Sequence, residues 1–139
     1  MIDLLPGIQS ASAAMNAERI RMDVISQNIA NANTVRGLDG KPYQRQQVVF
    51  ETVLQGQNTL GAVPGSEAQS VQVARIEKDP RPPRMIYDPA KNAMVAVPDI
   101  NIHEEMVDLL VASRAYEANL AIVKNSRAMA LQALSIGKR

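Results

Sequence analysis

Residues 6–34 read PGIQSASAAMNAERIRMDVISQNIANANT. Apolar side chains recur at Ile8, Met15, Met22 and Ile29, interleaved with Leu4, Ala11, Glu18, Ile25 and Ala32. Only Glu18 interrupts the stripe. This spacing predicts an amphipathic helix over about Pro6–Ala32 with a heptad-like seam turned toward another helix. At ~1.5 Å per residue it would be roughly 40 Å long. Asp3 is placed to cap the first turn, where Pro6 is tolerated. The segment closes on Asn28, Asn31 and Asn33, three asparagines within six residues. Spacing leaves two readings open. Asn33 caps the helix while the others face solvent, or all three act as hydrogen-bonded register elements at the seam.

A second periodic segment runs from about Glu104 to Ile136. Asn101 and Glu104 have capping-box spacing, and Asp99 adds negative charge at the positive end of the helix. Gly137 is a stop, followed by Lys138 and Arg139, which suit the negative end. Met106, Leu109, Leu110, Tyr116, Leu120, Val123, Ala130 and Leu134 form one stripe. Val107, Val111, Ala118, Ile122 and Met129 occupy other faces. A helix apolar nearly all round is buried nearly all round. One partner helix cannot do that, so the pattern predicts burial against neighbouring chains.

Between the helices, residues 33–99 hold five of the seven glycines and seven of the eight prolines. Gln46–Val53, Ser70–Ile76 and, more weakly, Ala93–Val97 alternate as strands do. A turn-rich stretch, QGQNTLGAVPGSEAQ, joins the first two. Lys78–Arg84 (KDPRPPR) reads as an extended linker. The expected fold is therefore mainly α with a small β lobe (α+β). Residues 1–33 and 100–139 form a terminal helical core of antiparallel, coiled-coil-like helices. Residues 34–99 supply an extended linker and a β-structured lobe.

Composition narrows the function. Lys and Arg number 15 against 14 Asp and Glu, without blocks of like charge, so nothing points to nucleic acid. One Phe, three Tyr and no Trp make a base-stacking platform an unsuitable reading. The absence of Cys excludes disulfides and thiol chemistry. No apolar run is long enough to span a bilayer, and the opening residues lack the form of a Sec signal peptide. The single His103 falls within the capping box. Glu104, Glu105 and Asp108 are explained by the helix dipole without a metal. Arg114 and Tyr116, two apart, point to different faces. No nucleotide loop, nucleophile elbow or ligand pair appears, and the expectation is a non-enzyme without catalytic residues, metal or cofactor.

Two stretches resemble signatures of bacterial flagellar rod and hook proteins. One is SQNIANANT, Ser26–Thr34; the other is VPDINIHEEMVDLLVASRAYEANL, with Glu105-Met106-Val107 and Arg114-Ala115-Tyr116-Glu117-Ala118-Asn119. An insertion, VRGLDGKP, separates Thr34 from Tyr43. With the short length, it matches the proximal-rod members rather than distal-rod or hook proteins. The resemblance implies a structural subunit of a helical tube that links the inner-membrane ring to the distal rod and hook, transmits torque and encloses the export channel. It implies a place in the periplasmic rod of the basal body, reached through the flagellar type III export apparatus. Implied partners are copies of itself, other proximal-rod proteins, the distal-rod protein and ring-side adaptors. The expected assembly interface comprises Ile8, Met15, Met22, Ile25, Asn28, Ile29, Asn31 and Asn33 on the first helix. On the second it comprises Met106, Leu110, Arg114, Tyr116, Asn119, Leu120, Val123 and Leu134. The alternatives are another small rod protein or, from a different class, a cytoplasmic helical-hairpin adaptor or dimerisation module. An acid–base pair of His103 with Asp99 or Glu104 is the remaining enzyme reading.

Overall fold

Two long helices frame the chain. A computed structural model describes residues 5–55 and 68–137. The elements are α1 (Leu5–Ala30), β1 (Gln46–Gln55), β2 (Ala68–Lys78), β3 (Arg84–Asp88), β4 (Ala93–Val97) and α2 (Ile102–Ile136). The architecture is thus α+β, as the periodicity predicts. The Asp3 cap, Leu4, the turn-rich connection at 56–67, Lys138 and Arg139 lie outside the described residues.

The last turn of α1 meets the first turn of α2 through Asn28 and Glu105, 3.0 Å apart, and the two helices pack antiparallel. The buried apolar residues are mostly small: Ala11, Ala17, Val24 and Ile25 on α1, Ala32 just past its end, and Ala112 on α2. Small side chains let the backbones approach closely, so bulk at the seam is costly. An Ala112→Leu substitution, at a site 0% exposed, is expected to cost on the order of 2 kcal/mol through overpacking. Urea unfolding would show this as a lower midpoint at unchanged slope.

The predicted stripe on α1 is buried along one of its two interleaved lines. Ala11, Ile25 and Ala32 are buried, with Ala17, Val24 and Asn28 beside them, whereas Ile8, Met15, Met22 and Ile29 are only partly covered. A seven-residue spacing drifts by about 20° per heptad on a 3.6-residue helix, so four such residues trace the flank of the contact rather than its centre.

β1 and β2 form an antiparallel hairpin, from Gln46 opposite Lys78 to Gln55 opposite Ala68. Val49 pairs with Arg75 and Phe50 with Val73, leaving Ala74 as the extra residue of a bulge. This hairpin packs on α1 and not on α2, among the described residues. α1 is therefore the central element, with α2 and the hairpin both resting on it.

β3 and β4 form a second antiparallel hairpin, Arg84 opposite Val97 and Asp88 opposite Ala93. β4 coincides with the predicted strand; β3 begins at Arg84, the last residue of the predicted linker, and runs on through residues to which no element had been assigned. The unpaired stretch is shorter, Asp79–Pro83, and Arg84 begins a ladder that needs β4 as its template. In the connecting turn Ala90 N–H donates to Asp88 Oδ1 (3.0 Å) and Lys91 N–H to the Asp88 carbonyl (3.2 Å). Asn92 takes φ 47°, a left-handed conformation that asparagine tolerates.

The insertion after Thr34 is itself ordered. Gly37 N–H donates to the Lys41 carbonyl (2.7 Å), Gly40 N–H to the Gly37 carbonyl (3.0 Å), and Tyr43 N–H to the Thr34 carbonyl (3.0 Å). Gly40 has φ 76°, which a residue with a Cβ would adopt only under strain. Leu38 stands fully exposed on this loop.

At the start of α2, Asn101 is the N-cap, but the box is modified. Its side-chain oxygen accepts from His103 N–H (3.1 Å), one residue short of the usual partner, and its amide donates to Glu104 Oε1 (3.0 Å). At the other end Gly137 stays right-handed (φ −74°), its N–H bonded to the Ala133 carbonyl. It ends α2 without using glycine's left-handed freedom.

Candidate functional site

The largest fully buried side chains are not apolar. They are Asn28 and Glu105, each 1% exposed, and they meet where α1, the start of β1 and the start of α2 converge. An asparagine amide offers two N–H donors and two acceptor lone pairs, and Asn28 uses all four. Its Nδ2 donates to the Gln46 carbonyl (2.8 Å) and to Glu105 Oε2 (3.0 Å). Its Oδ1 accepts from Gln46 N–H (2.9 Å) and Tyr43 O–H (3.1 Å). The paired bonds to Gln46 imitate a strand neighbour, so the side chain fixes where β1 begins.

Glu105 needs a cation, and Arg45 supplies it. Arg45 Nε donates to Glu105 Oε1 at 2.6 Å. The same guanidinium lies 3.5 Å from Asp79 and 3.9 Å from Asp108. Asp79, also buried, accepts from Arg81 N–H (3.0 Å), Nε (2.9 Å) and NH2 (2.8 Å). Arg81 in turn reaches Asp99 at 3.7 Å. Backbone bonds stitch the same region: Asp79 N–H donates to the Arg45 carbonyl (2.8 Å), and Gln44 Nε2 to the Asp79 carbonyl (2.6 Å). One connected polar network therefore ties both helices to the linker ahead of β1 and the linker beyond β2.

The network sets the charge states. Hydrogen bonds from the Arg81 side chain and backbone hold the Asp79 carboxyl down at about 2. Burial, then the nearby Glu105 charge, push the Tyr43 phenol above its usual value, keeping it a donor to Asn28. For Asp79 the sign is direct: its folded pKa lies below the ordinary 3.8. Its contribution to stability is complete above that value and is lost as pH falls toward 2. We expect the urea midpoint to fall over that window and an Asp79→Asn chain to show a shallower fall.

The sequence-predicted interface residues separate in space. Ile25 and Asn28 are buried within the chain; Ile8, Met15, Met22, Ile29, Asn31, Tyr116, Asn119, Leu120 and Val123 are partly buried. Asn33, Met106, Leu110, Arg114 and Leu134 are exposed. The three asparagines of the run have three different environments. Asn31 is local: its amide donates to the Gln27 carbonyl (2.9 Å) and its Oδ1 accepts from Thr34 O–H (3.2 Å). Asn119 likewise bonds back to the Ala115 carbonyl (3.0 Å).

Glu105 does more than the helix-dipole role read for it from the sequence: it is buried and paired with Arg45. Its register offered a signal: seven residues on stands Ala112, buried on the same helical face. Arg45 and Asp79 carry no such sequence signal. Among the described residues no three His, Cys, Asp or Glu side chains converge as metal ligands. His103 is exposed.

Comparison with known proteins finds matches at both ends of the chain. A family model described as "Flagella basal body rod protein" matches residues 8–36, which span most of α1 and its exit turn. A second, "Flagellar basal body rod FlgEFG protein C-terminal", matches residues 91–136, which hold β4 and all of α2. The chain is 41% identical to the flagellar basal-body rod protein FlgC of Borreliella burgdorferi, covering 96% of this chain and 97% of that one. It is 34% identical to FlgC of Yersinia enterocolitica, covering 99% and 100%. It is 33% identical to FlgC of Bacillus subtilis, covering 92% and 94%. With identities of 33% to 41% along almost the whole of each relative, the chain belongs to the FlgC family of flagellar basal-body rod proteins.

Proposed function

We propose that this chain is a structural subunit of the flagellar proximal rod, built into a helical tube with copies of itself and with other rod proteins. The observation that carries this reading is the unpaired surface of α2. One face of that helix rests on α1, yet Met106, Val107, Leu110, Val111, Ile122, Met129, Leu131, Leu134 and Ile136 are each at least half exposed. Soluble monomers rarely leave so continuous an apolar strip uncovered. Neighbouring subunits would cover it, with Met106, Leu110, Arg114 and Leu134 in direct contact. Ile25 and Asn28 would act on the interface only through the fold they hold. The tube would lie in the periplasm and its subunits would reach it through the flagellar type III apparatus. Its role is mechanical: dense packing between helices supplies the stiffness that torque transmission needs, and no catalytic step is assigned.

The test is genetic and direct. In a motile host lacking its own FlgC-family gene, this chain should restore rods to isolated basal bodies, where a tagged copy should be seen below the distal rod. A tagged copy that accumulates in the cytoplasm while basal bodies stay rodless would overturn the reading in favour of a cytoplasmic helical-hairpin module.

A further inference from the structure

A strand at the rim of a sheet leaves a row of backbone N–H and C=O groups unpaired, and proteins guard such rims with charge, proline or cover. Both hairpins of this chain are two-stranded, so each of their strands has a free edge. β1 carries Glu51, β2 carries Arg75, Glu77 and Lys78, and β3 carries Arg84 and Asp88. β4, Ala93–Val97, carries neither charge nor proline. No other element covers it: among the described residues β4 packs on β3 alone. Outside that ladder, residues 93–97 make no backbone hydrogen bond among the described residues. A two-stranded hairpin that rests on no helix is marginal in water, whereas three or more strands make a stable sheet.

We propose that the free edge of β4 pairs with the free edge of β4 in a second copy of this chain, antiparallel and in a register centred on Val95. The sequence AMVAV suits itself in that register. Val95 stands opposite its own counterpart, Met94 opposite Ala96 and Ala93 opposite Val97. A larger side chain meets a smaller one on either side of the centre, and no like charges meet. The two hairpins join into one sheet of order β3–β4–β4–β3. The rims that stay free are then the β3 edges, which carry Arg84 and Asp88. The uneven charge of the two strands therefore selects which edge pairs: the guarded strand ends outside and the unguarded one inside. The contact is two-fold and closes at two copies, whereas a filament grows by heterologous contacts. The dimer is accordingly a form of subunits outside the rod, and it goes beyond the rod reading without resting on it.

The chain has no native cysteine, so introduced cysteines report the contact. A full-length Val95→Cys chain, oxidised in solution, should run as a disulfide-linked dimer, and so should a chain carrying both Met94→Cys and Ala96→Cys. Ala93→Cys on the same strand should stay monomeric, because its counterpart lies about 13 Å away along the strand. Adding Met94→Lys to the Val95→Cys chain should cut linkage several-fold at unchanged circular dichroism, since Met94 is 56% exposed and symmetry loses its pair with Ala96 twice. Failure of both Val95→Cys and the Met94→Cys/Ala96→Cys chain to link would overturn the proposal, whether the edge stays empty or takes a strand of another protein. Equal linkage by Ala93→Cys would overturn it too. So would linkage indifferent to Met94→Lys, a sign that copies meet through another face such as the outer side of α2.

Discussion

An Asn28→Ala chain is expected to lose on the order of 4 kcal/mol of stability, since truncation strands several buried groups at about 1–3 kcal/mol each and such losses are not additive. The amide that disappears has four partners: Glu105 Oε2, Tyr43 O–H, and both backbone groups of Gln46. Asn28 and Glu105 are each 1% exposed, and the carboxylate left behind keeps only Arg45 on its other oxygen. The neighbouring asparagines provide the comparison. Asn33 is exposed, so Asn33→Ala should stay within about 0.5 kcal/mol of the parent. Asn31→Ala removes a local cap and should cost about 1 kcal/mol. Urea unfolding of the three chains side by side gives the answer. An Asn28→Ala midpoint indistinguishable from that of Asn33→Ala would mean that the polar network does not hold the helices and the β1–β2 hairpin together.

The second large effect leaves the folded subunit alone. Ile122 is 50% exposed on the uncovered side of α2, so Ile122→Asp should change subunit stability by no more than about 0.5 kcal/mol. In the assembled rod the same carboxylate would be buried without a partner, at a cost of several kcal/mol for every copy. Motility in a complemented strain is therefore expected to be lost while circular dichroism and the urea midpoint of the purified chain stay as they were. Normal swimming by Ile122→Asp cells would show that this face is not an interface. The two substitutions are complementary: Asn28→Ala acts on the fold, Ile122→Asp on assembly.

Most of the framework can be read from the chain because it depends on local periodicity. Residue spacing places both helices within a few residues of their ends, and alternation marks β1, β2 and β4. β3 escapes because three prolines, Pro80, Pro82 and Pro83, dominate its approach, while its pairing depends on residues 93–97. The polar network escapes for a stronger reason. Asn28 and Glu105 are 77 positions apart, and Arg45 and Asp79 come from unrelated linkers. Nothing in a single sequence ties such residues together. An acidic residue in the first helical turn looks like dipole compensation until the neighbouring helix is seen to cover it. The asparagine run illustrates the same limit: three identical residues prove to be a strand anchor, a local cap and an exposed turn residue.

The arrangement of α1 at the centre also governs when the protein can fold. Every substantial packing partner of α1 is distant in sequence: the hairpin begins sixteen positions after its end, and α2 is the last element. Contacts that must close such long loops form slowly. While the chain is being made, α1 has only the β1–β2 hairpin to pack on until residues beyond Ile102 have emerged to supply its helical mate, and an isolated helix with an alanine-rich seam is only marginally stable in water. The polypeptide therefore stays open and threadable through most of its synthesis and gains its core only when its two ends meet.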